Sequence, residues 1–191
     1  MTSTASAITT GTWALDTTHT EIGFTVRHLI GKVRGKFTGF EGSIVTADDI
    51  TASTVNVSVD LSTIDTGTAG RDEHLRSADF FEVENHPTMT FVSTGVVQKD
   101  DSNFVVTGDL TIKGVSKPVE LEAEFLGEGA DPWGGTRVGV EATTKISRKE
   151  FGIDFNMPVD GSDKLLIGDS ISIHINAEAV LAVAEPDEVQ A

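Results

Sequence analysis

The feature that most constrains this chain is an alternation of apolar and polar residues with a period of two, which recurs along nearly its whole length. Ile22, Phe24 and Val26 alternate with Gly23, Thr25 and Arg27. Val55, Val57, Val59 and Leu61 oppose Asn56, Ser58 and Asp60, while Val119, Leu121, Ala123 and Phe125 oppose Glu120, Glu122 and Glu124. Val138, Val140, Ala142, Thr144 and Ile146, and later Ile171, Ile173, Ile175 and Ala177, repeat the pattern. Successive side chains of a strand point to opposite faces, so each run is a half-buried antiparallel strand. Turn signals punctuate the runs at Gly31-Lys32, Asp48-Asp49, Lys99-Asp100-Asp101, Lys113-Gly114, Gly134-Gly135 and Gly161-Ser162-Asp163.

Strands in series, each with one apolar face, must hide both those faces and their edges. A closed up-and-down barrel does both, whereas a two-sheet sandwich leaves edges. The chain therefore reads as all-β: an antiparallel barrel of about eight strands, which encloses either packed side chains or one small ligand. Gly23, Gly39, Gly42 and Gly139 stand where strands could bend at barrel corners. Any cavity inside such walls is dry, apolar and uncharged along its length.

One segment breaks the alternation. Arg71–Ser77 carries helix-forming residues behind Gly70, and Ser77–Phe81 is a second short turn that brings Phe80 and Phe81 inward. His86-Pro87 then returns the chain to extended geometry, and a strand resumes at Thr88. This predicts a short helical insert near residues 70–81, a lid or a plug beside whatever the strands enclose.

The 191 residues fit one domain: residues 1–10 are expected to be a flexible N-terminus, 11–184 the barrel and 185–191 an acidic tail. No cysteine is present, which excludes disulfides and thiolate chemistry. The N-terminus has neither the basic nor the apolar region of a signal peptide, and no apolar run approaches the roughly 18 residues of a membrane span. The expected location is cytoplasmic. A net charge of −16 repels phosphate backbones, so nucleic acid is not an expected partner. Against that background two cationic clusters stand out, Arg27–Lys36 and Lys145–Lys149, either as solvated hairpin ends or as a local site for a small anionic head group.

The five histidines show no metal-ligand spacing with one another, and no nucleophile motif occurs. The chain thus predicts no catalytic residue, no metal and no cofactor. His28 and His74, each beside arginine, suit contact with an anion. Arg71 and Arg76 either pair with Asp72, Glu73, Asp79 or Glu82, or one of them caps the barrel mouth with its guanidinium.

Five stretches together resemble the YceI-like, polyisoprenoid-binding family. They are Trp13–Leu29; VRGKFTGFEG at Val33–Gly42; Asp65-Thr66-Gly67 through RDEHLRSADFFEVENHPTMTFVST; GDLTIKGVSKPV at Gly108–Val119; and ISRKEFGID at 146–154 with IGDSISIHINAEA at 167–179. Thr20 stands where that family often has serine. The resemblance implies a lipocalin-like barrel with a short helix near its mouth, no established catalytic activity, and a long apolar channel for a polyisoprenoid, a polyprenyl phosphate, an isoprenoid quinone or another long-chain lipid. On this reading Arg27, His28, Arg71, His74 and Arg148 hold the head group. Phe24, Val26, Phe37, Phe40, Val57, Val59, Leu75, Phe81, Phe91, Leu110, Ile146 and Phe151 line the channel. The role would be transport, storage or sequestration. The expected partners are the lipid and, in a homodimer, a second copy of the chain. The rival readings are an enzyme acting on a small hydrophobic substrate in the barrel, and a stress or interaction protein whose barrel is simply filled.

Overall fold

The computed structural model describes residues 8–183. Residues 1–7 of the expected N-terminal segment and the whole 185–191 tail lie outside the described residues. Eleven strands form one antiparallel sheet: β1 (Gly11–Leu15), β2 (Glu21–His28), β3 (Gly31–Phe37), β4 (Phe40–Thr46), β5 (Thr54–Asp60), β6 (Ile64–Asp65), β7 (Thr88–Gln98), β8 (Asn103–Ile112), β9 (Val115–Ala130), β10 (Thr136–Ser147) and β11 (Ile167–Leu181). Six of them make three interrupted staves. β1 and β2 lie end to end against β11, Trp13 opposite Leu181 and Ile22 opposite Ile175. β3 and β4 lie against β2 and β1, and β6 and β5 against β3 and β4. Counted as staves there are eight, each beside its neighbour in sequence, and β11 returns to β1 and β2 to close the ring. This is the up-and-down barrel that the alternation predicts.

The interruptions interlock. Gly39 separates β3 from β4, and its N–H donates to Thr63 Oγ1 in the 3₁₀ turn Leu61–Thr63 that separates β5 from β6. A Cβ on Gly39 would come within 2.7 Å of Thr63 Cγ2, so the close approach needs glycine there. Leu61, which the alternation places on the β5 strand, instead starts this turn and is fully buried. The β2–β3 reversal is also shifted. It falls on Leu29-Ile30 rather than Gly31-Lys32, with Leu29 at φ +54°.

The one α-helix among the described residues, α1 (Ala69–Arg76), lies in the connection between β6 and β7. β6 is two residues long and pairs only with β3, whereas β7 pairs with β5 and β8, so the wall has a gap that the helix and residues 77–87 occupy. α1 has no apolar stripe. It docks through Asp72, a buried carboxylate that accepts from Thr66 N–H and Thr66 Oγ1–H, and through Leu75.

The barrel interior divides along its axis. At one end Trp13, entirely buried, packs with Val138 and Ala179 and donates its indole N–H to Thr46 Oγ1. The middle is filled by Val59, Phe91, Val96, Phe104, Val106 and Leu110. The Phe91 ring comes close to Gly108, where a Cβ would stand 2.5 Å from Phe91 Cζ. At the other end the interior is open.

Candidate functional site: the open end of the barrel

The open end holds a cavity of about 250 Å³. Its floor is Ile22, Phe37, Ile64, Met89 and Ile112, which are also the last layer of the packed core. Its sides are β2 and β3, the helix with Phe80 and Phe81, the end of β10 with the 3₁₀ turn Arg148–Phe151, and the start of β11. The wall is almost wholly apolar. The cavity opens where exposed His74 and Met157 border half-buried His28 and Arg71.

Of the expected channel residues, Phe24, Val26, Phe37, Leu75, Phe81, Ile146 and Phe151 line this cavity. Phe40, Val57, Val59, Phe91 and Leu110 do not. Val59, Phe91 and Leu110 belong to the filled middle, Val57 and Phe40 pack against it, and Phe40 also borders a polar cleft at Thr17–Glu21. The channel therefore does not run the length of the barrel, because buried side chains from β5, β7 and β8, among them Val59, Phe91, Val106 and Leu110, fill its middle. The sequence reading passed over Met157, Leu166 and Ile167. They sit in or just after the irregular loop between the 3₁₀ turn and β11, where no periodicity marks a face.

The five head-group candidates separate. Arg27 does not reach the cavity. Ile22, Phe24, Val26 and His28 point inward from β2, so strand parity turns Arg27 outward, and it is exposed. His28, Arg71, His74 and Arg148 all border the cavity, but their free hydrogen-bonding capacity differs. Arg148 is buried, and its guanidinium is occupied. Nε donates to Gly168 O at 3.0 Å, Nη1 to the carbonyls of Ile153 and Phe155 at 2.8 Å each, and Nη2 reaches Asp169 at 3.4 Å. Burial pushes its pKa down, opposed by the charges of Asp169 and Asp154. Arg148 is thus a brace that ties the β10 end to β11, with little left for a ligand.

Arg71 is different. Nε donates to Thr66 Oγ1 at 2.7 Å, and Nη2 to Thr66 O and Thr68 Oγ1 at 2.9 and 3.3 Å. Nη1 has no partner among the described residues. A guanidinium aimed by three bonds on one edge, with the other edge open at the mouth, is suited to a phosphate or carbonyl oxygen. His74 Nε2–H donates to Asp79 at 2.9 Å, and the His74 ring meets Phe80 and Phe155 edge-on at 5.0 Å each. It is the hub of an aromatic cluster that closes one side of the mouth.

At the opposite end Arg137 joins Asp16, Asp131 and Glu178. Thr18, Arg137 and His19, in that order, hold the Asp16 carboxyl well below the usual carboxylate range. Asp16, His19 and Glu178 present ligand-type atoms within 4.8 Å of one another. The Arg137 guanidinium already bridges two of them, Asp16 and Glu178, so the protein itself offsets part of the cluster's negative charge. The hydroxyl of Thr20 donates to Glu178 O and accepts from Glu178 N–H, 3.1 Å each, and so pins β2 to β11 beside this network.

Comparisons with known proteins agree with this architecture. A UPF0312 protein of Vibrio cholerae serotype O1 is 41% identical over 157 residues, covering 76% of this chain and 83% of its own. The Campylobacter jejuni YCEI protein superposes with a TM-score of 0.70 at 30% identity, covering 82% of this chain and 90% of that one. A polyisoprenoid binding domain from Saccharophagus degradans shares the fold, with a TM-score of 0.65 at 15% identity over 89% of this chain and 98% of that one. The YceI-like domain profile matches residues 13–179, from the buried Trp13 to the buried Ala179 of the closing strand, and the chain belongs to that family.

Proposed function

We propose that the chain binds the apolar tail of a polyisoprenoid, a polyprenyl phosphate or an isoprenoid quinone in the open end of the barrel, for transport, storage or sequestration. The observation that carries this reading is an almost wholly apolar cavity whose mouth holds one half-free guanidinium, Arg71. The Saccharophagus domain of the same fold, described as polyisoprenoid binding, supports it. Burying a tail stabilises the complex by about 0.8 kcal/mol per methylene. An enzyme working on a small hydrophobic substrate would want polar groups converging on the cavity, and this wall favours holding a tail over transforming it.

The volume bounds the mode of binding. An apolar cavity of about 150 Å³ takes up benzene, so about 250 Å³ suits roughly ten carbon atoms, or about two isoprene units. A longer tail then projects through the mouth or displaces Phe80 and Phe81. Mass spectrometry of an organic extract of the purified protein, together with titration by short prenyl phosphates and prenyl alcohols, tests the reading. Recovery or saturable binding of a prenyl lipid is expected. An empty extract and no binding of either probe would overturn it.

A further inference from the structure

The mouth of the barrel carries more exposed apolar surface than a closed site needs. The β2–β3 reversal presents Leu29 and Ile30, 46% and 93% exposed. Leu29 N–H donates to Leu166 O at 2.7 Å, and Leu166 N–H to Met157 O at 2.9 Å. This chain of bonds joins the reversal to the loop that presents Met157 and Leu165, each about half exposed. The bond from Leu29 also holds that residue in a left-handed conformation that leucine rarely adopts. Met157 and Leu166 line the cavity as well, so the apolar wall continues out onto the rim.

Beside this rim the outer barrel face is cationic. Arg27, Lys32, Arg34 and Lys36 all project outward from β2 and β3, with Arg27 directly opposite Lys32. Lys145 extends the patch across the sheet, through Ser172 and Thr25 to Arg34. All five are exposed, and none forms an ion pair among the described residues. The nearby acids are few. Asp65 lies opposite Lys36, and Asp169 is engaged by Arg148 and Lys149. Asp160 and Asp163 sit with Lys164 at the turn of the second loop. On a chain with 30 acidic and 14 basic residues, this concentration of unpaired cations next to an apolar tip matches the chemistry of an anionic bilayer surface: apolar groups enter the acyl boundary while Lys and Arg meet the head groups.

We propose that the β2–β3 hairpin docks the open end of the barrel on an anionic lipid bilayer, placing the cavity mouth against the source of its ligand. The choice of a bilayer over another partner rests on the tail-binding reading above, but the docking itself is measured separately. The full chain is sedimented with phosphatidylcholine vesicles, with and without phosphatidylglycerol. Ile30→Glu tests the apolar tip, where exposure makes the change harmless to folding, and Lys32→Glu with Arg34→Glu tests the patch. Binding only to the anionic vesicles is expected, falling steeply with salt and at least about tenfold weaker in either variant, the loss of a desolvated apolar contact or of two cations at the surface. Uptake of a short prenyl alcohol from solution should be unchanged in all variants. No binding of wild type to anionic vesicles, or equal binding by Ile30→Glu, would overturn the proposal. So would a vesicle-free self-association that Ile30→Glu abolishes, since a second copy would then cover the rim. No uptake of prenyl alcohol by wild type, with vesicle binding intact, would instead overturn the tail-binding reading alone.

Discussion

Replacing Arg71 by alanine separates a head-group contact from a structural one. Its guanidinium gives one edge to Thr66 and Thr68 and leaves Nη1 at the mouth. A hydrogen bond to a charged partner contributes about 1.5–3 kcal/mol, and partial exposure at the mouth puts the value here near the lower end. At 1.4 kcal/mol per decade that is about a tenfold loss in affinity for a prenyl phosphate. A prenyl alcohol with the same tail has no charge to meet the guanidinium and should lose no more than about threefold, the effect of a neutral hydrogen bond of ~0.5 kcal/mol or a little more. Arg71→Lys should recover part of the phosphate affinity, because it keeps the charge but not the fork. Titration calorimetry with the matched pair of ligands reads the difference, and a thermal melt records the loss of the Thr66 and Thr68 bonds. Equal losses for phosphate and alcohol would refute the head-group role and leave Arg71 as a support for the turn before α1.

Other substitutions probe the frame. Arg148→Ala strands the carbonyls of Ile153, Phe155 and Gly168 and should destabilise the fold by about 1–3 kcal/mol for each acceptor left buried and unsatisfied, seen in denaturant unfolding, with no preference between charged and neutral ligands in the folded fraction. Gly35→Ala puts a Cβ 2.4 Å from Phe24 Cζ, so the Phe24 ring must leave its place in the cavity wall; prenyl affinity should fall, and the overpacking should cost the fold about 1–3 kcal/mol in thermal melts. The network around Arg137 gives a pH signature. Asp16 and Asp131 have depressed pKa values, so their stabilisation is fully present above about pH 4, the ordinary carboxylate value, and is lost as the pH falls through the lower folded values. Arg137→Gln should therefore be less stable than wild type at neutral pH, and the gap should narrow below about pH 4 in pH-dependent melts. A gap that widens on acidification would contradict this assignment.

Much of the architecture was legible in the sequence because strand parity is strict. The alternations at 22–26, 55–59, 119–125 and 171–177 fix which side chains enter the barrel, and the break at 70–81 marks the helix. The same parity separates His28 from Arg27, adjacent residues that cannot both face inward, so the outward placement of Arg27 was already implicit in Ile22, Phe24 and Val26. What parity does not encode is height along the barrel. Phe24 and Phe91 look alike in sequence, yet Phe91 reaches Val59 and Leu110 in the packed middle, whereas Phe24 borders open space. That distinction depends on the register of eight staves around a ring. Arg148 also lay beyond sequence reasoning, because the carbonyls it binds belong to an irregular loop. The Asp16, Arg137 and Glu178 network joins residues far apart in the chain.

The central claim is that an apolar tail lies in the open end of the barrel and not in its packed middle. A prenyl alcohol with a photoreactive diazirine at its tail end, irradiated in complex with the protein and mapped by peptide mass spectrometry, tests it directly. The account predicts labels on the cavity residues Phe24, Phe37, Leu75, Phe81 and Ile146, all competed away by unlabelled prenyl alcohol. Labels concentrated on Phe91, Phe104 and Val106, or spread over the outer surface without competition, would contradict it.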